Sequence, residues 1–132
     1  MESKNITYID TTQLNETVEQ FKKDNESFIV VFKGGEDENG ENWCSDCVKA
    51  DPVLKKALYP RAEEEGIPVL VVNCGLREVW KNPENPARIH PLFKVAGVPT
   101  VIMIDTLSQG QVSMRLAEEE LFSEDMIEAM FE

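Results

Sequence analysis

The sequence predicts an α/β fold: a central mixed β-sheet flanked by helices on both faces, in the order βαβαβ then ββα. Three features of the chain point to it. Apolar runs rich in β-branched residues, at 28–33 and 67–72, alternate with segments of helical spacing, the pattern of parallel strands joined by crossover helices. After the apolar run 98–105, Val112, Met114 and Leu116 alternate with polar residues, as in an antiparallel hairpin. No repeat, low-complexity tract or long linker divides the 132 residues. Residues 1–132 therefore read as one domain, long enough to bury a core without disulfide staples.

The elements follow in order. Residues 6–9 alternate and form a first strand. Leu14, Val18 and Phe21 fall at helical spacing, with Thr11 or Thr12 as the cap. Phe28 to Lys33 is a continuous apolar run, read as a buried central strand. Gly34 to Asn42 is polar and acidic with three glycines, hence a loop. The next helix should start near Cys44 and end near Leu58, with Val48, Val53, Leu54, Ala57 and Leu58 as its buried stripe. Pro52 should kink it, because proline lacks the amide donor and clashes with the preceding turn. Gly66 ends that segment and Ile67 to Val72 is the next strand. Residues 75–90 read as an irregular insertion, since Pro83, Pro86 and Pro91 break any long helix. Val98 to Asp105 and Gln111 to Leu116, the latter preceded by Gly110, complete the strands. Ser123 caps the last helix; Phe122 and Ile127 stand at the positions of a hydrophobic staple, and Glu124 and Asp125 suit its positive end.

Bulk charge narrows the function. The chain carries 25 acids against 13 bases, a net charge of −12. Nucleic acid and anionic membranes need a basic footprint, so neither is expected as a partner. Anionic substrates are also disfavoured at long range. The first twenty residues hold no apolar core of a secretory signal, and Phe28 to Phe32 is too short to span a bilayer. A cytosolic location is expected. The triplets at Asn5, Asn15 and Asn25 that match the glycosylation pattern are then chance matches. Nothing in the chain demands more than a monomer.

Three cysteines are too few, and odd in number, for a disulfide scaffold. In a reducing compartment the Cys44-Ser45-Asp46-Cys47 pair is catalytic or metal-binding. Thiol–disulfide exchange needs a thiolate nucleophile and a second thiol close by to resolve the mixed disulfide. A Cys-x-x-Cys at a helix start supplies both, because free helix amides stabilise charge on the first sulfur. A free thiol of pKa about 8.5 is about 3% thiolate at neutral pH; lowering it to about 7 makes it about half thiolate, a difference of about 2 kcal/mol. On position, Cys44 is the nucleophile and Cys47 the resolving thiol.

Zinc sites use the same spacing, and Cys44, Cys47, Cys74 and His90 could form a Cys3His set. Against it, the pair stands at a strand–loop–helix junction, Cys74 and His90 have no paired neighbour, and Trp43 and Val98-Pro99-Thr100 have a redox explanation. A non-catalytic interaction module, presenting loop 34–42 and insertion 75–90, is the other alternative. Asp46 reads either as a proton acceptor for Cys47 or as an acid favoured in a first helical turn, where it also opposes a thiolate on Cys44. Trp43 reads as a substrate-facing lid, and Trp80 and Lys81 as part of a substrate rim. Cys74 reads as a bystander, His90 as structural or solvent-facing, and Glu118-Glu119-Glu120 as solvated surface.

Trp43-Cys44-Ser45-Asp46-Cys47, Pro52 and Val98-Pro99-Thr100 together resemble the thioredoxin family, over nearly the whole chain by element order. More narrowly, the Trp-Cys-x-Asp-Cys centre, the long polar loop before it and Trp80-Lys81-Asn82-Pro83-Glu84-Asn85 resemble the thioredoxin-related subfamily of the thioredoxin domain-containing protein 17 type. The resemblance implies a thioredoxin-like fold and a cytosolic reductase of protein disulfides or small disulfides such as cystine. It implies no bound cofactor, recharging by thioredoxin reductase with NADPH, and peroxide-linked activity. It also implies a cis Pro99 facing the dithiol, with Val98 and Pro99 contacting substrate backbone. Two departures stand out. Ser45 replaces the subfamily's usual proline, which frees an amide as a potential donor to Cys44 and, with Asp46, alters the redox tuning. The strand before the centre lacks the buried acid of ordinary thioredoxins, so its proton-accepting role passes to Asp46 or to water.

Overall fold

A computed structural model describes residues 5–108 and 111–132. Gly110, expected before the last strand, lies outside the described residues. Five strands form one mixed sheet: β1 (Ile6–Asp10), β2 (Ser27–Lys33), β3 (Val69–Asn73), β4 (Thr100–Asp105) and β5 (Gln111–Ala117). Their order is β1-β3-β2-β4-β5. β3 pairs in parallel with β1 and β2; β4 pairs antiparallel with β2 and β5. The sequence pattern thus translates directly into topology: βαβαβ gives the parallel half and ββα the antiparallel half.

β2 shows why its sequence runs apolar without alternation. Phe28, Val30 and Phe32 enter one core, while Ile29 and Val31 enter the other, all fully buried. Both faces are covered, so both sets of side chains leave water. The first face is covered by α1 (Leu14–Asp24), through Leu14 and Val18, and by Trp80, Ala87, Phe93 and Val95 of the insertion and its sequel. The second is covered by α2 (Ser45–Val53), the wide turn Leu54–Leu58, α3 (Tyr59–Glu64) and α6 (Glu124–Ala129). The staple expected at α6 is present, with Ile127 buried, Phe122 packed against the same cluster, and Ser123 capping through Met126 N–H.

Several boundaries move for local reasons. The first cap is Asp10, not Thr11 or Thr12: its carboxylate accepts from Thr12 N–H at 2.9 Å and Gln13 answers it, so a short 3-10 turn precedes α1. Val48 is exposed, because Cys47, Ala50 and Leu54 hold the inward spacing of that helix. Pro52 lies just before the π-type turn at 54–58, where the ladder re-registers after the missing amide. β4 begins at Thr100 rather than Val98, since Pro99 has no N–H to give the sheet. The insertion is less irregular than its prolines suggest. It holds α4 (Arg77–Lys81) and α5 (Pro86–Ile89), and Pro86 opens α5 beneath an Asn85 cap rather than breaking a helix. Among the described residues no helix is long and apolar enough to cross a membrane.

Candidate redox site

The end of β2 leads through Gly34 and the acidic loop to Trp43 and Cys44, where α2 begins. Cys44 is the N-cap: its backbone is extended and its sulfur accepts from Cys47 N–H at 3.2 Å. The sulfur takes the place an Asp or Ser oxygen takes in other helices and satisfies one of the orphan amides. It is this Cys47 amide, not that of Ser45, which reaches the Cys44 sulfur. The thiol in turn faces the Val98 carbonyl at 3.4 Å. Asn42 holds the segment in place. Its Oδ1 accepts from Cys44 N–H at 2.9 Å and its Nδ2 donates to the Gly34 carbonyl at 2.8 Å. Sequence reasoning missed Asn42; an asparagine two residues before a helix cap is the signal that could have found it.

Cys44, Cys47 and Cys74 are all free and all buried. Cys47 is buried to the same extent as Cys44, and its sulfur accepts from Gly34 N–H at 3.4 Å. Burial first, then its hydrogen bond with the Cys44 thiol, pushes the Cys47 thiol far above its ordinary range. Cys47 is a protonated thiol at neutral pH. Burial also pushes Cys74 up to about 12, so that thiol is unreactive in the folded protein.

A cleft of about 350 Å³ opens at Cys44. Its floor and walls include Trp43, Ser45, Asp46, Trp80, Val98 and Glu118. The Trp43 ring packs on Gly34, in the space a Cβ would fill, and its Nε1 donates to the Gly75 carbonyl at 2.9 Å. Gly75 has φ 93°, a conformation that glycine adopts without penalty. The Arg77 guanidinium lies 5.5 Å over the Trp43 ring. Trp80 is buried, capped by Arg88 at 3.9 Å from its ring, and borders the cleft from within. Lys81, expected beside it on the rim, is exposed and does not line the cleft; α4 turns Arg77 toward it instead. The Val98–Pro99 peptide bond is cis, and Pro99 is buried beside the dithiol.

A second, smaller cavity of about 170 Å³ lies on the other side, bordered by Cys47, Lys33, Glu36, Asn42 and Asp51. Asp51 pairs with Lys55 at 3.0 Å and with Lys33 at 4.0 Å. The two thiols thus face different spaces. Asp46 shares Cys44's cleft; the acids sharing Cys47's cavity are Glu36 and Asp51. Glu118 is solvent-exposed, as expected of the acidic run, and it also lines the cleft.

The zinc set does not assemble. His90 is buried with its ring 4.5 Å from Phe93, and its Nδ1 accepts from Leu92 N–H at 3.1 Å. Among the described residues no three His, Cys, Asp or Glu side chains are grouped to hold a metal ion.

Known proteins fit this geometry. The family profile described as "Thioredoxin domain-containing protein 17-like, thioredoxin domain" matches residues 8–132. Thioredoxin domain-containing protein 17 of Danio rerio is 36% identical over 103 residues, covering 78% of this chain and 76% of that protein. The thioredoxin-like protein Clot of Arabidopsis thaliana is 33% identical over 97 residues, covering 70% of this chain and 71% of its own. Among solved structures, thioredoxin NaTrxh from Nicotiana alata superposes with a TM-score of 0.62 at 14% identity, over 99% of this chain and 93% of that one. A thioredoxin f2 crystallised in complex with ferredoxin:thioredoxin reductase superposes at 0.59 with 16% identity, over 96% and 92%. With the mixed five-stranded sheet and the Cys44–Cys47 pair at the start of α2, these matches show that the chain belongs to the thioredoxin domain-containing protein 17-like family, with a thioredoxin fold.

Proposed function

We propose that the protein is a cytosolic, monomeric disulfide reductase working through Cys44 and Cys47. One observation carries the reading: the two thiols are unlike. Both are buried and both receive an amide N–H, but Cys44 caps a helix and lines the cleft, while Cys47 lines a separate cavity and burial keeps it protonated. The Cys44 thiolate attacks one sulfur of the substrate disulfide, forming a mixed disulfide and expelling the other half as a thiolate that takes up a proton. Cys47 then gives its proton to water in its own cavity, where Glu36 and Asp51 accept it. The Cys47 thiolate attacks Cys44 Sγ, the Cys44–Cys47 disulfide forms, and the second half leaves as a thiol. The substrate gains two electrons and the dithiol loses two.

Trp43, Trp80 and Val98 bound the approach of the substrate, and in this reading the backbone before the cis Pro99 lies beside its extended segment. Cystine and protein disulfides are the substrates in this reading, and peroxide-linked turnover would draw on the same dithiol. The reaction so written needs no bound cofactor; thioredoxin reductase returns the electrons from NADPH. That a thioredoxin of the same fold forms a complex with a reductase supports such a partner.

The test is NADPH oxidation coupled through thioredoxin reductase, with cystine and a protein disulfide side by side. Turnover is expected, Cys44→Ser should abolish it, and Cys47→Ser should accumulate a mixed disulfide on Cys44. No NADPH consumption with either substrate overturns the reading; a mixed disulfide trapped only on Cys47 reverses the roles.

A further inference from the structure

We propose that Glu118 sets substrate choice: its carboxylate favours disulfides that carry an ammonium or guanidinium group a few bonds from the sulfur. The inference rests on the reductase reading of the cleft. Glu118 opens an acidic run, but its two neighbours behave differently. All three are solvent-exposed, but Glu119 does not line the cleft and the Glu120 carboxylate turns back to accept from Ala117 N–H at 3.0 Å. Glu118 alone enters the cleft. It does so because its backbone sits at φ 53°, the left-handed region that non-glycine residues seldom occupy. Its N–H donates to the Pro99 carbonyl at 2.8 Å, which ties the residue to the loop beside the dithiol. Such an unusual backbone at a site invites a functional explanation.

The consequence is a placed charge. The Glu118 carboxylate lies against Gly97, in the space a Cβ there would need. Gly97 precedes Val98, whose carbonyl is 3.4 Å from the Cys44 sulfur. A sulfur approaching Cys44 therefore brings its nearest substituents alongside Gly97 and Glu118. Asp46 adds a second carboxylate to the same cleft, and Arg77 the cleft's cation, stacked on Trp43. None of the three takes part in an ion pair among the described residues, so the carboxylates are uncommitted. A cation beside the scissile bond meets them directly. An anion there meets them and the net charge of −12 behind them.

The test compares cystamine with the neutral bis(2-hydroxyethyl) disulfide in the coupled assay. Their intrinsic reactivities differ, so the quantity read is the change in their kcat/KM ratio between proteins. Glu118→Gln should lower the cystamine preference about three- to five-fold, the order of one exposed ion pair. Gly97→Ala, which keeps the charge but displaces it, should shift the ratio in the same direction. Glu119→Gln removes the same bulk charge outside the cleft and should leave the ratio unchanged. Raised salt should shrink the preference of the parent protein. An unchanged ratio in Glu118→Gln overturns the proposal, as does an equal shift in Glu119→Gln, which would assign the effect to net charge. Absence of turnover with both disulfides in the parent overturns the reductase reading itself.

Discussion

Asn42 offers the sharpest test of how the site is held. Its side chain makes two hydrogen bonds, to Cys44 N–H and to the Gly34 carbonyl, and both partner residues are buried. Asn42→Ala leaves a buried donor and a buried acceptor without those partners. At about 0.5–1.5 kcal/mol for each bond, the loss is about 1–3 kcal/mol. Unfolding entropy of about 2.1 cal/mol/K per residue, over 132 residues, converts about 2 kcal/mol into a Tm drop of about 7 °C. The assay is thermal and denaturant unfolding of the reduced protein. Tm and the denaturant midpoint should fall together with m unchanged. Asn42→Asp keeps the acceptor for Cys44 N–H and loses only the donor, so its loss should be about half. It also places an anion near the Cys44 sulfur and should slow alkylation there. An alanine variant within about 2 °C of the parent would refute the strut.

Three further outcomes follow from particular residues. Ser45 is the first residue of α2, where an amide has no intrahelical partner and proline fits; Ser45→Pro should raise stability by about 0.4–1 kcal/mol, and a loss in the same unfolding assay would mean that the serine amide is in use. Asp51→Asn should slow release of the second half from a preformed Cys44 mixed disulfide, with a changed pH profile, while Asp46→Asn should not; the reverse pattern in single-turnover release would put the proton path on the cleft side. Burial, and then Lys22, lower the pKa of His90, so folding favours its neutral ring. That contribution is complete above the unfolded value of about 6.5 and is lost as pH falls through the depressed folded value. The Tm of His90→Gln should therefore decline less steeply than the parent's on acidification, and parallel slopes would exclude His90 as the source.

The sheet was legible because β2 and β3 bury both faces and must read as unbroken apolar runs, and because the β5 alternation can only be a half-covered strand. The place of the cysteine pair at a helix start was legible because its spacing is local. What stayed hidden is tertiary. Lys81 and Arg77 lie one turn apart on α4, and only the packing of Trp80 decides which of them reaches the cleft. Glu118 looks like its two neighbours in sequence, and only its left-handed backbone, tied to the Pro99 carbonyl, sets it at the cleft. Pro86 reads as a breaker in isolation and as a helix start once Asn85 caps it, accepting from Ala87 N–H and donating to the Cys74 carbonyl at 3.1 Å.

The separation of the two thiols follows from helix geometry alone. Each residue turns the helix by about 100°, so Cys47 stands about one turn beyond Cys44 and is rotated toward β2. There it meets the Gly34 amide rather than the cleft. Asp51, four residues after Cys47, falls on the same face and borders the same cavity. Asp46, one residue before Cys47, is turned away by about 100° and borders Cys44's cleft instead. A strand acid is therefore not the only way to serve a buried resolving thiol. In the proposed mechanism the helix that begins at Cys44 also carries, in Asp51, an acid on the face of Cys47. In the same proposal Asp46, inside the Cys-x-x-Cys pair, shares the cleft of Cys44 with Glu118 and meets what approaches there.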